Sequence, residues 1–225
     1  MTDFFDIVGF DLDGTLFDTA ADIAAAANHV LAREGRGTLP IEMLKPMIGL
    51  GGLHLLEQAL TATGGCDPGA VERLFPEWLD YYGDNLVRET RPFPGLMDTM
   101  DALDARGARI AIVTNKRERF AVKLVEQLGL TERFACVIGG DTMGPGNAKP
   151  SGVPIHEMIR RCGGGRAAFV GDSVFDTMAA RHAGIPSVAV SFGFLTGPVE
   201  ELRADAVIDH YDELIPTLER LACSA

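Results

Sequence analysis

Three carboxylates and a flexible glycine fall within the run Asp11-Leu12-Asp13-Gly14-Thr15-Leu16-Phe17-Asp18, directly behind the apolar stretch Phe5 to Phe10. If that stretch is a strand, the acids stand at its carboxyl end, the edge at which open parallel sheets bind their ligands. Asp11 and Asp13 alternate with Leu12, so in extended backbone they point to one side. Two like charges about 4 Å apart repel by about 4 kcal/mol at an effective dielectric of about 20, so the pair calls for a cation, a proton or a dense set of donors. Taken alone, the pair would also suit a capped turn.

Further polar clusters fall behind other strand-like runs. Thr114-Asn115-Lys116 follows Arg109 to Val113, and Gly171-Asp172-Ser173, with Asp176 beyond, follows Ala167 to Val170. Lys149-Pro150 lies in the connection after a third run, Ala135 to Gly139. Thr114 offers a hydroxyl, and the N–H groups that open the next helix offer an anion site. Lys149 brings a compact positive charge and Asp172 a third carboxylate. An oxygen-only donor set of this kind suits Mg²⁺, which takes one or a few carboxylates together with waters and a substrate phosphate. The sum is a phosphoryl-transfer site.

The elements that must hold these groups alternate between strand and helix. Ser187 to Ser191 and Ala206 to Ile208 complete the β-rich runs, and Arg117 to Leu128, Pro154 to Cys162, Phe175 to Ala183 and Asp212 to Leu221 read as helices. Gly129 stops the first of these. The pattern predicts an α/β fold: a Rossmann-like parallel sheet covered by helices on both faces. Residues 19–88 break it. Ala20 to Arg33, Leu53 to Thr61 and Pro68 to Val87 read as helices, the last broken near Pro76, with no convincing strand among them. The expected organisation is a catalytic α/β core of residues 1–18 and 89–225 with an α-helical cap, residues 19–88, inserted after the first strand. An insertion at that point would act as a lid.

Composition narrows the partners. A net charge of −12, from 32 acidic and 20 basic residues without a Lys/Arg cluster, argues against nucleic acid or an anionic membrane as a general partner. Cys66, Cys136, Cys162 and Cys223 are widely spaced, with no CxxC pair, and read as reduced thiols of a cytoplasmic protein without thiol chemistry. The start of the chain has no basic leader, and no segment reaches the roughly 18 uninterrupted apolar residues of a membrane span. The five histidines, His29, His54, His156, His182 and His210, form no ligand spacing. Asp18 reads as a cap for the first helix of the inserted block. Asp141, at a Gly-Gly turn, would either support Lys149 or serve its own loop.

In its motifs the chain resembles the haloacid dehalogenase superfamily: DLDGTLFD at Asp11 to Asp18, TN at Thr114 and Asn115, KP at Lys149 and Pro150, and GDSVFD at Gly171 to Asp176, in the superfamily's order. Within it the chain looks most like the phosphoglycolate phosphatase group, through Val113 to Leu130, Val137 to Asp141, Phe169 to Ser173 and the IGLGG stretch Ile48 to Gly52. The resemblance implies a Mg²⁺-dependent phosphomonoesterase acting on a small phosphorylated metabolite, 2-phosphoglycolate first among the candidates. Asp11 would be the nucleophile, forming an aspartyl-phosphate, and Asp13 the general acid and then base. Asp11 and Asp172, with the backbone carbonyl of Asp13, would hold the metal, and Asp176 would orient them. Thr114, the Asn115 backbone and Lys149 would hold the phosphoryl oxygens.

Asp13 argues against a haloacid dehalogenase or a phosphonatase, which usually lack an acid two residues after the nucleophile. A sugar-phosphate phosphatase and a β-phosphoglucomutase-like phosphomutase keep it, so the motifs leave both open. A phospho-accepting regulatory protein would place its acceptor after a later strand and carry no lid. Substrate selection is expected in the cap, around Ile48 to Leu53 with Lys45 and His54. No heptad or apolar seam sets an oligomeric state.

Overall fold

A computed structural model describes residues 4–49 and 51–224. Met1 to Asp3 at the chain start, and Leu50 in the Ile48–Leu53 stretch, lie outside the described residues. The chain packs as two compact units, Met1–Phe17 with Pro92–Ala225, and Asp18–Arg91. It passes between them through two short strands, β2 (Phe17–Asp18) and β3 (Arg91–Pro92).

The larger unit is built on six strands. β1 (Ile7–Phe10), β4 (Arg109–Val113), β5 (Cys136–Ile138), β6 (Ala167–Gly171), β7 (Ser187–Val190) and β8 (Ala206–Ile208) lie in the order β5-β4-β1-β6-β7-β8, and each neighbouring pair is parallel. β1 is flanked on both sides, with Ile7 level with Arg109 and with Ala167. This is why Ile7-Val8-Gly9-Phe10 is apolar without alternation: both faces are covered. Counted along the chain, the six strands run 3-2-1-4-5-6. The order reverses at β1, so the crevice for ligands opens beside the carboxyl ends of β1 and β6.

Among the described residues, five helices belong to this unit: α5 (Leu96–Ala105), α6 (Glu118–Gln127), α7 (Val153–Arg161), α8 (Val174–Ala183) and α9 (Leu214–Ser224). One core face joins Ile7, Val113, Ile138 and Phe169 of the sheet to Ile155 and Met158 of α7. Gly9 lets α7 approach β1, since a Cβ there would overlap the Met158 sulfur. α5 is absent from the periodicity reading. Three aspartates and a threonine interrupt its apolar positions, and what fixes it is burial of Leu96, Met100 and Leu103.

The smaller unit is helical: α1 (Ala20–Arg33), α2 (Ile41–Ile48), α3 (Gly52–Ala62) and α4 (Ala70–Asp84). Two expectations need correction here. α4 does not break at Pro76; the lost hydrogen bond is outweighed by burial of Leu74, Trp78, Leu79 and Tyr82 along one continuous face. Ile41–Ile48 adds a helix to the three expected in this block, with Pro46 inside it and Leu44 and Ile48 buried. Asp22, 2% exposed, ties α1 to the end of the unit, accepting the backbone N–H of Arg88, Glu89 and Thr90 and the Thr90 hydroxyl. Among the described residues no helix is long and apolar enough to cross a membrane.

Candidate active site

The strand ends dictate where the acids go. β1 stops at Phe10, and the N–H groups of Leu16 and Phe17 return to the Leu12 carbonyl, so the chain turns back on itself over 12–17. Gly14, at φ +82°, makes the turn; a Cβ there would overlap the Asp172 carboxylate. The charge of Asp13 still raises the Asp11 carboxyl, as expected of neighbouring acids, but it is the weakest of the effects there and not the main feature of the site. The two acids meet different lysines. Lys149 Nζ lies 2.8 Å from Asp11 Oδ1 as an ion-pair contact, whereas Lys116 Nζ donates to both oxygens of Asp13 at 2.8 and 2.7 Å.

The crowding falls instead on Asp11, Asp172 and Asp176. Each offers a carboxylate oxygen within 4.8 Å of the others, and all three are buried. Asp172, just past the end of β6, stands across the β1–β6 crevice from Asp11. It accepts the Phe194 N–H at 2.6 Å and a long 3.4 Å bond from the Thr15 hydroxyl. Asp176 is already spoken for: Oδ2 takes the Ser173 N–H and hydroxyl in a capping box that starts α8, and Oδ1 takes Lys149 Nζ at 2.6 Å. Lys149 spends its remaining donor on the Val113 carbonyl at 2.9 Å.

Electrostatics follows from this arrangement. Three buried carboxylates share one buried ammonium, leaving excess negative charge in the crevice. Burial pushes the Asp11 carboxyl up to about 6; Lys149 opposes that and Asp176 adds to it. Burial, then the charges of Asp11 and Asp176, pushes Asp172 well above the ordinary carboxylate range. Burial alone would lower Lys149, but Asp11 and Asp176 outweigh it and hold its ammonium above the ordinary lysine value. Buried acids that are short of donors and have a hard oxygen-only donor set fit a divalent cation. Asp13 lies outside that trio; its side chain belongs to Lys116.

The phosphate side of the site is assembled on β4. Thr114, 3% exposed, accepts the Lys116 N–H at 3.2 Å, which leaves its hydroxyl proton to donate. The Asn115 amide donates to the Lys149 carbonyl at 3.1 Å, so that side chain joins the two loops. Asp141 does not reach Lys149: it accepts the Glu118 N–H at 2.8 Å and caps α6. Asp18 Oδ1 accepts the Ala20 N–H at 3.3 Å, at the start of α1.

Three groups at the site escape motif reading. Lys116 was visible, two residues past Thr114, but nothing in the sequence pairs it with Asp13. The Phe194 N–H is a backbone donor and leaves no side-chain signal. Tyr211, fully buried, donates to the Thr15 carbonyl at 2.8 Å and pins the turn from a helix-start segment nearly 200 residues on.

Comparison with known proteins agrees with this geometry. The family profile of haloacid dehalogenase-like hydrolases matches residues 8–190. The chain is 40% identical over 223 residues to a phosphoglycolate phosphatase of Mesorhizobium japonicum, covering 97% of each protein. It is 39% identical over 212 residues to a phosphoglycolate phosphatase of Agrobacterium fabrum, covering 93% of this chain and 90% of that protein. Among solved structures, a predicted phosphoglycolate phosphatase of Haemophilus somnus superposes with a TM-score of 0.86 at 26% identity, over 96% of this chain and 99% of that one. The chain belongs to the haloacid dehalogenase-like hydrolase family and is a phosphatase of that family.

Proposed function

We propose that the protein hydrolyses a small cytoplasmic phosphate monoester, with 2-phosphoglycolate as the leading substrate, by passing the phosphoryl group through Asp11. The observation that carries the reading is the pairing across the β1–β6 crevice of Asp11 with Asp172, both buried and both short of donors. The substrate is taken from the relatives of Mesorhizobium and Agrobacterium.

Asp11 attacks phosphorus and forms an aspartyl-phosphate. Lys149, anchored by Asp176 and the Val113 carbonyl, fixes the nucleophile and balances charge as the phosphoryl oxygens arrive. Thr114 and the Asn115 backbone hold those oxygens. Asp13 gives its proton to the leaving alkoxide and then takes one from the attacking water; Lys116 orients its carboxylate. Asp11, Asp172 and the Asp13 backbone carbonyl would hold Mg²⁺, which supplies positive charge for the transferring phosphoryl group. Asp176 supports that shell through Lys149 and Ser173. The helical unit, residues 18–91, serves as a lid that chooses the substrate.

A profile of kcat/KM across 2-phosphoglycolate, sugar monophosphates, nucleoside monophosphates and pyridoxal phosphate, with and without exhaustive chelation, tests this. Phosphoglycolate is expected to lead by at least about tenfold, with activity lost on chelation. Preference for a sugar phosphate, or its isomerisation without phosphate release, would overturn the substrate; full activity after chelation would overturn the metal.

A further inference from the structure

Nothing in the cysteine spacing marks a pair, yet the fold brings two of them together. Cys136 opens β5, the edge strand of the sheet, and Cys162 follows the last residue of α7. Their Sγ atoms lie 4.0 Å apart, in van der Waals contact. Cys162 is 3% exposed and packs in the core with Ile155 and Met158, whereas Cys136 is half-buried at the sheet edge. Of the two sulfurs, the one on the strand side is therefore the more accessible.

The two thiols are not equivalent. The hydrogen bond from Cys136, opposed by burial and helped by the Arg109 guanidinium, draws the Cys162 thiol down to about 7. The same bond, with burial, pushes Cys136 up. Two thiols in contact, one buried and one at the sheet edge, have the proximity that an attacking and a resolving cysteine need. The segment they bracket carries Lys149, the partner of Asp11 and Asp176.

We propose that Cys136 and Cys162 are an oxidation site, forming a reversible disulfide with a hydroperoxide and stapling β5 to the end of α7. The Cys162 thiolate attacks one peroxide oxygen of hydrogen peroxide and the O–O bond breaks. Hydroxide leaves and takes up a proton as water, and Cys162 becomes a sulfenic acid. The Cys136 sulfur then attacks the sulfenic sulfur, the S–O bond breaks, and the departing hydroxide leaves as a second water with the Cys136 proton. Two thiols are oxidised by two electrons and one peroxide is reduced to two waters.

The test uses the whole protein, treated with hydrogen peroxide, alkylated and digested with trypsin without reduction. Arg160 and Arg161 separate Cys136 from Cys162 in the digest, so the bond appears as two joined peptides, two hydrogens lighter than their sum, and disappears with dithiothreitol. The expected result is that this linked pair dominates. Oxidised protein is also expected to melt several degrees above the same protein after dithiothreitol, a rise that is lost in Cys162→Ser, or in Cys136→Ser if the first does not fold. Alkylation of both cysteines at peroxide concentrations that oxidise the exposed Cys223 would overturn the proposal. So would sulfinic or sulfonic acid at either position in place of the link, or a link that leaves the melting midpoint unchanged.

Discussion

Asp22 and Asp172 are equally buried, at 2% and 3% exposure, but they differ in what surrounds them. Asp22 accepts three backbone N–H groups and a hydroxyl, with distances of 2.8–3.1 Å. Asp172 has one short N–H and one long hydroxyl contact, and faces two further carboxylates instead of donors. Burial by itself therefore says little about an acid's purpose. A carboxylate with a full donor shell closes a fold, while one left short of donors among other carboxylates is arranged for a cation and for chemistry.

The largest effect expected from this contrast lies at Asp11. Asp11→Asn keeps the shape and removes the nucleophile, and steady-state assays should show turnover lower by about four orders of magnitude or more, with the fold intact by circular dichroism. Lys116→Met should lower kcat by about 10- to 100-fold on an alkyl phosphate, and less on p-nitrophenyl phosphate, whose leaving group needs little protonation. Equal losses on both would show that Lys116 acts on something other than Asp13.

Stability separates the two buried aspartates directly. Asp22→Ala strands four donors and should cost about 3 kcal/mol or more, read as a fall in melting midpoint of roughly 10 °C. Asp172→Asn in chelator-treated protein at about pH 7 should leave the midpoint unchanged or raise it, because it removes a repelling charge. If both variants fall alike, the distinction drawn between them is wrong.

The pH dependence has a definite sign. The Asp11 and Asp172 carboxyls titrate higher folded than unfolded, so what they contribute is present below the unfolded value of about 4. It is lost as pH rises through the folded value, about 6 for Asp11. A divalent cation binds the ionised forms and reverses that loss. The midpoint gained on adding Mg²⁺ in differential scanning fluorimetry should accordingly be larger at about pH 7.5 than at about pH 5. The smallest effect is expected from Tyr211→Phe, which loses one buried hydrogen bond to the Thr15 carbonyl and about 1 kcal/mol.

Much of this was legible in the sequence because parallel strands buried on both faces read as short apolar runs, and the polar groups stand immediately after them. Asp11, Thr114 and Asp172 could be placed at strand ends from that alone. The turn over 12–17 could not, since alternation stops being a guide once the strand ends, and so Asp13 was paired with Asp11 rather than with Lys116. Pro76 misled for a related reason: a local rule about helix interiors was overridden by burial that only the packed unit supplies. The Phe194 N–H and the Cys136–Cys162 contact depend on long-range closure and carry no local signal.

The steric course at phosphorus tests the central claim, that the phosphoryl group passes through Asp11, most directly. With a phosphorothioate analogue of phosphoglycolate made chiral at phosphorus by two oxygen isotopes and hydrolysed in water of the third, two successive in-line displacements should give inorganic thiophosphate with overall retention of configuration. Inversion would mean a single attack by water and would contradict the account.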